Sequence, residues 1–457
     1  MGAEWGRPAP VEPATYRDVS VDAAPRPVLG RLDVIAIVVG LVIGAGIFKS
    51  PSVVAANAAN EYVLLGAWLL GGVVSLAGAL CYAELATSHP SAGGEYHFLT
   101  RAYGRRLAFL FAWSRLAVLQ TGSIALLAFV LGDYLAELLP LGPNGPAWYA
   151  AVSVVVLTGL NLAGLRASTS VHRTATTIVL LGLAGVIVAG LLYAPPPAPV
   201  APAPAPATGT PAFGLAMVFV LLTFGGWNEA AYVSAELRDV RHNMVRALII
   251  ALAVITLLYL LVNLAYLHVL GLEGMRATEV IATDTMRAAV GNAGAGLVAA
   301  LIVVAVLTSM NVSILTGART NYALGRDFHL FRYLGAWNGE TNAPSRALVV
   351  QGAIALLLVL IGAFSRSGFE TMVHYVSPVF WLFFLLTALS LFVLRRREPA
   401  RPRPFRVPLY PLTPLVFSAM CAYMLYSSLA YTGFGALLGV LVLAAGAPLL
   451  LLLSRNR

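Results

Sequence analysis

The stretch VVGLVIGAGIFKSPSVV, Val38 to Val54, has the hydrophobicity of a membrane-spanning helix yet holds residues that such a helix should avoid. Each glycine in a helix interior costs about 1 kcal/mol against alanine, and this stretch carries Gly40, Gly44 and Gly46. Lys49, the only lysine in the chain, and Pro51 follow at once. If the helix enters the bilayer near Asp33, Gly44 lies roughly 16 Å in at 1.5 Å per residue, close to the midplane. A single glycine in a membrane helix signals close packing and little else. The cluster Gly44-Ala45-Gly46 is placed to interrupt the helix.

Working outward, 59% of the 457 residues are hydrophobic and only 11% are charged. A soluble domain averages about 25% charged residues, so the composition is that of an integral membrane protein. Twelve apolar segments are read, at roughly 32–57, 62–87, 105–139, 147–165, 171–193, 212–237, 245–271, 293–325, 344–364, 370–395, 409–431 and 433–454. Their length and lack of period-2 alternation exclude strands, and a β-barrel would show shorter alternating segments. With the N-terminus placed inside, 24 of the 29 cations fall in inner loops and ends, against three outside, Arg276, Arg287 and Arg366. That asymmetry follows the positive-inside rule and supports an even number of spans. The net charge of +9 is thus a topological signal and not a nucleic-acid footprint. Residues 1–30 lack the apolar core of a signal peptide and read as a disordered cytoplasmic tail. The uncharged Pro/Ala-rich segment 194–211 reads as a semi-rigid outer loop. Cys81 and Cys421 both sit inside apolar segments, so no disulfide framework is expected.

The stretch LLTFGGWNEAAYVSAELRD, 221–239, repeats the opening pattern. Gly225-Gly226 again lies near mid-depth, with Asn228 and Glu229 just beyond. The two interrupted spans are the first and the sixth, so a repeat of five spans would place them in oppositely oriented halves. Paired broken helices in inverted halves point to a secondary-transporter binding site. An unwound segment frees backbone N–H and C=O groups that must find partners in hydrocarbon. A substrate with both a carboxylate and an ammonium can satisfy them, the carboxylate at half-helix N-termini and the ammonium at freed carbonyls. The competing explanation is two packing surfaces of small residues.

Four ordered motifs carry a resemblance. IGAGIF (43–48) resembles the first-helix signature, YAELATSHPSAGGEYHFLTRAYG (82–104) the loop after the second helix, FGGWNEAAYVSAELRDVRHNMVRAL (224–248) the sixth-helix pattern, and SMNVSILTGARTNYALGRD (309–327) the eighth-helix pattern, of the amino acid–polyamine–organocation superfamily of amino acid permeases. The resemblance covers about residues 30–400. It implies an all-α membrane protein of 12 transmembrane helices with a LeuT-type 5+5 inverted repeat: 31–193 and 212–398 as the two five-helix halves, and 399–457 as two extra C-terminal helices. It also implies uptake or exchange of amino acids by alternating access, in the bacterial inner membrane, with both termini cytoplasmic. By position, the backbone of Gly44, Ala45, Gly46 and Ile47 should hold the substrate carboxylate. The carbonyls of Ile43 and of Leu222, Thr223 or Phe224 should face its amino group, with Gly225 and Asn228 beside them. Two departures matter. Residues 174–190 lack the fifth-helix lysine that replaces sodium in some members, which leaves the coupling mechanism open between exchange and symport with protons or sodium. Residues 140–147, PLGPNGPA, lack the cysteine that links a partner subunit in the heteromeric branch, so no disulfide-linked partner is expected.

Ionisable groups inside a membrane are functional candidates by default. Glu229 either faces the cavity, carrying a proton or attracting a cationic side chain, or pairs with Lys49 or Arg115 as a structural tie. Lys49 either balances a carboxylate or snorkels outward, and Arg115 either pairs with an acid or faces water. Glu84, at the inner end of the second span, is read as a tie for the inner loop. Ser309, Asn311 and Ser313 form either an ion site or a helix-to-helix contact. The histidines lack metal spacing, and no nucleophilic triad or phosphate loop is present, so no metal, cofactor or chemical catalysis is expected.

Overall fold

The computed structural model describes residues 31–455 except 92, 165–168, 194–209, 238, 339–340, 342, 366 and 432. The expected tail 1–30 and most of the expected outer loop 194–211 therefore lie outside the described residues. Among the described residues no strand forms beyond isolated bridges such as Asn338 with Ala343.

The opening stretch gives α1 (Arg31–Val42), a single 3₁₀ turn (Ala45–Phe48) and α2 (Ser50–Ala56). Pro51 sits in the first turn of α2, where its missing N–H costs nothing. Next comes α3 (Glu61–Ser88), capped where the Asn60 side chain accepts from the Val63 amide at 3.0 Å. A short helix α4 (Gly94–Tyr103) leads into α5 (Arg105–Ser114), a π turn (Arg115–Leu119) and α6 (Gln120–Leu138), one continuous span. Then follow α7 (Gly145–Leu162), α8 (Thr169–Leu192) and α9 (Thr210–Thr223). The sixth segment departs from expectation: beyond the break it runs as a 3₁₀ helix, Trp227–Glu236. At about 2.0 Å per residue this form covers more depth per residue than an α-helix.

The remainder is α10 (Val240–Ala277), bent at Gly271 with φ 65°, α11 (Ile281–Val290), α12 (Asn292–Asp327), α13 (Ser345–Ala363), α14 (Gly368–Arg397) and α15 (Leu412–Tyr431). The last expected span divides into α16 (Gly433–Ala444) and α17 (Gly446–Arg455). Pro448 explains the division, since a proline ring clashes with the carbonyl four residues back, here that of Ala444. Ten helices are long and apolar enough to cross a membrane among the described residues, with a shorter apolar stretch at 176–192.

Side chains such as Leu181, Leu360 and Leu441 are exposed around the outside, as a lipid-facing surface requires. Inside, Trp68 of α3 and Phe224 pack on Tyr259 of α10, with ring centroids 5.5 and 5.0 Å away. Close approach governs the α6–α7 pair, where a Cβ on Gly132 would lie 2.1 Å from the Pro146 carbonyl. The arginine-rich face is laced by ion pairs. Glu84, 2% exposed, accepts from Arg395 at 2.7 and 2.5 Å and from the Val407 amide at 2.7 Å. It thus ties α3 to the end of α14 and to the segment that follows. Glu398 joins Arg101 of α4, at 2.7 Å, to His89, at 3.1 Å.

Candidate functional site

At the first break Gly44 is extended, with φ −114° and ψ −154°, and α1 has already ended. Gly44 N donates to Val42 O at 2.8 Å and Lys49 N to Gly46 O at 3.1 Å. Among the described residues, nothing in the protein accepts from the amides of Ala45 or Gly46, and nothing donates to the carbonyl of Ile43, whereas the Ile47 amide belongs to the bonding of the 3₁₀ turn itself. A Cβ built on Gly44 would meet only Leu41 O at 4.0 Å, so the chain there faces open space.

The second break lies against the first. Gly225 N donates to Leu222 O at 2.9 Å, and the Phe224 carbonyl has no donor among the described residues. Gly226 takes φ 116°, and a Cβ on it would sit 3.0 Å from Leu41 O. A Cβ on Gly46 would sit 3.1 Å from the Thr223 side chain. Thr223 Oγ1 donates to Phe219 O and lies 2.7 Å from Ser50 Oγ, stitching α9 to α2. The Tyr259 hydroxyl reaches both breaks, 2.9 Å from Val42 O and 3.2 Å from Thr223 O. Ile43 to Ile47 and Leu222 to Gly225 are thereby brought together.

Charged side chains flank this junction on both sides. Lys49, 5% exposed, places its Nζ 2.6 Å from Asp133 Oδ2 of α6 and 3.8 Å from Glu279 Oε2. The Phe48 carbonyl beside it accepts from Tyr134 at 2.5 Å. The end of α2 is held by Arg276, which donates to Ala55 O at 3.1 Å and Ala58 O at 2.7 Å, a cation at a helix C-terminus. Toward the arginine-rich face, Arg115 Nη1 lies 3.8 Å from Glu229 Oε1. This is the tie to Arg115 weighed for Glu229, although that carboxylate keeps 38% of its side-chain surface exposed. Arg115 starts the π turn, a distortion common at functional sites. Tyr375 donates to the Ala117 carbonyl within it at 2.7 Å. Asn228 is buried, and its Nδ2 points to Glu95 Oε1 at 3.4 Å.

The expected ion-site trio is spread around α12. Ser309 and Ser313 stand one turn apart on one side, while Asn311 accepts from Asn161 Nδ2 of α7 at 2.6 Å. The Ser313 carbonyl accepts from Gln120 at 2.8 Å. Among the described residues no group of three or more His, Cys, Asp or Glu side chains is placed to hold a metal ion.

The amino acid permease family model matches residues 29–444. The chain belongs to that family, within the amino acid–polyamine–organocation superfamily. The permease is 30% identical over 393 residues to the b(0,+)-type amino acid transporter 1 of Rattus norvegicus, covering 84% of this chain and 79% of the relative. It is 29% identical over 441 residues to the large neutral amino acids transporter small subunit 2 of Mus musculus, covering 92% and 80%. To the Asc-type amino acid transporter 1 of Mus musculus it is 29% identical over 446 residues, covering 93% and 80%. The family and these relatives mark the permease as a multi-pass membrane transporter of amino acids and not an enzyme.

Three side chains that shape the permease's site escaped the sequence reading. Asp133 carried a usable signal, being an acid within an apolar span. Glu95 lies within the 82–104 motif, where its sequence signal is that of an ordinary loop carboxylate. Tyr259 carried no signal, since a tyrosine in an apolar helix is most often core.

Proposed function

We propose that the permease moves amino acids across the cytoplasmic membrane by alternating access, binding the substrate backbone at the two helix breaks. The observation that carries this reading is the pair of amides at Ala45 and Gly46 and the carbonyls of Ile43 and Phe224, which have no hydrogen-bond partner among the described residues. Donors and acceptors so placed at half-helix ends suit a carboxylate and an ammonium on one carbon. Gly44, Leu222, Thr223, Gly225 and Asn228 complete the lining.

Adding α8 and the broken α1–α2 segment to the ten long apolar helices supports twelve spans in a 5+5+2 arrangement of LeuT type. The arginine-rich face is then cytoplasmic, with both termini on that side of a bacterial inner membrane. Cys81 and Cys421 are both buried, and no disulfide-linked partner is proposed, because residues 140–147 hold no cysteine. Transport runs by exchange or is coupled to protons or sodium, with Glu229, Lys49 and Arg115 as the charge candidates and Ser309, Asn311 and Ser313 as the ion-site candidates.

Proteoliposomes holding the permease should accumulate a labelled amino acid. Gly46→Leu should abolish this, because a side chain there meets Thr223 and covers the amides. Unchanged uptake by Gly46→Leu sinks the site assignment. A second reading, exchange of cationic amino acids or polyamines, is favoured by the exposed carboxylate of Glu229. Competition by arginine or putrescine that disappears in Glu229→Gln would establish it. Saturable counterflow by preloaded substrate separates a transporter from a channel or a non-transporting nutrient sensor.

A further inference from the structure

We propose that the arginine-rich face of the permease carries a binding site for the headgroup of an anionic phospholipid, built by Arg396 at the end of α14 and Arg406 on the segment leading to α15. The inference concerns the bilayer around the permease and does not rest on the transport reading.

The segment 395–406 holds six arginines and one acid, Glu398. Four of the six have partners in the protein. Arg395 pairs with Glu84 in two hydrogen bonds. Arg403 lies 3.7 Å from the same carboxylate and donates to the carbonyls of Leu394 and Glu398. Arg401 lies 3.4 Å from Glu398, which Arg101 and His89 also engage. Arg397 donates to the Ala102 carbonyl at 2.9 Å. Successive residues of an α-helix point about 100° apart, so the three arginines that end α14 take three directions. Two of those directions meet protein. Arg396 takes the third. Arg396 and Arg406 are both exposed and have no hydrogen-bond or ion-pair partner among the described residues.

The third direction leads to lipid. One and two turns before Arg396, on its own side of the helix, stand Phe392, Val393 and Leu389, and Leu389 is exposed. The Phe392 ring packs on Tyr410 with 5.7 Å between centroids, and the Arg395 guanidinium covers Tyr410 at 3.7 Å. Just beyond Tyr410, the exposed Leu412, Leu415 and Val416 open the lipid-facing side of α15. The apolar surface thus extends to Phe392 and Tyr410, and Arg396 stands about 6 Å further along the axis. That is the boundary depth, where tyrosine rings meet headgroups. Five prolines between 399 and 411 fix the backbone of the connection that presents Arg406, which lowers the entropy lost on binding. A planar guanidinium can grip two phosphate oxygens at once. A zwitterionic headgroup brings its own ammonium to that phosphate. An anionic headgroup does not, so it gains more from a second unpaired cation at Arg406.

The test is native mass spectrometry of purified full-length permease in micelles doped with equal amounts of phosphatidylglycerol and phosphatidylcholine, with folding checked by thermal unfolding. Wild type should retain phosphatidylglycerol in preference. Arg396→Gln and Arg406→Gln should each lower that preference about fivefold. Arg106→Gln with Arg332→Gln removes two exposed arginines elsewhere in the chain and should leave the preference intact. A wild type with no preference, or a preference kept in Arg396→Gln with Arg406→Gln, overturns the proposal. A loss as large in the Arg106 and Arg332 variant would mean a diffuse positive field and overturns the site. Displacement of phosphatidylglycerol by a tenfold excess of inorganic phosphate would mark a free-anion site and overturns the lipid assignment.

Discussion

Replacing Tyr259 by phenylalanine deletes one oxygen from the centre of the permease, and the cost can be worked from its neighbours. The hydroxyl has one proton to donate and two carbonyls in reach, Val42 O at 2.9 Å and Thr223 O at 3.2 Å. Both are last-turn carbonyls of helices that stop at mid-depth, so neither has an intrahelical partner. A buried acceptor left unsatisfied costs about 1–3 kcal/mol. Val42 O keeps the Gly44 amide at 2.8 Å, so Thr223 O is the acceptor left without a donor among the described residues, and Tyr259→Phe should destabilise by about 1–3 kcal/mol in total, toward the lower end if water enters the break. The same helix supplies the control. Tyr266 lies two turns further on, is fully buried, and its hydroxyl has no partner among the described residues. Tyr266→Phe should therefore be neutral or slightly stabilising, because it removes a buried polar atom that nothing satisfies. Denaturant unfolding of the two variants in mixed micelles makes the comparison. Equal midpoints for Tyr259→Phe and Tyr266→Phe would refute the argument that this hydroxyl satisfies the carbonyls at the breaks.

Two further outcomes are expected. Lys49→Met leaves Asp133 with a buried, uncompensated charge and should cost up to about 3–5 kcal/mol, whereas Lys49→Met with Asp133→Leu should recover most of the loss in the same unfolding assay. On the arginine-rich face, partial burial alone would raise the Glu398 carboxyl, but its hydrogen bonds to Arg101 and His89 outweigh this and bring it down to about 2. A depressed carboxylate stabilises above its unfolded value and loses that contribution as pH falls through the folded one. The melting advantage of wild type over Glu398→Gln should hold at neutral pH, shrink from about pH 4.5 downward and approach zero near pH 2; a difference independent of pH would refute the ion-pair account.

The breaks were legible because glycine pairs with adjacent polar residues are rare at mid-depth, and the structure interrupts both segments within a residue or two of Gly44 and Gly225. The form of the second half-helix was not legible. Composition scarcely distinguishes a 3₁₀ run from an α-helix, and the run 227–236 reads the same either way. The π turn at Arg115 is equally silent, since it inserts one residue without changing polarity. The partners of the charges escaped for another reason. Lys49 and Asp133, or Glu95 and Asn228, meet only once each helix's rotation about its axis is fixed, and in these nearly all-apolar spans hydrophobic periodicity carries too little contrast to fix it. Glu84 was readable as a tie because it stands at a helix end near an arginine-rich segment, where few other partners exist.

The chain's single lysine has a practical consequence. Apart from the α-amino group, Lys49 Nζ is the only amine an acylating reagent can modify, and in this conformation it is 5% exposed and held 2.6 Å from Asp133. An amine-reactive probe added from either side of a sealed vesicle thus becomes a natural, mutation-free clock for the opening of that gap. Its rate of attachment would count how often the permease presents this flank of the first break to water, and from which side.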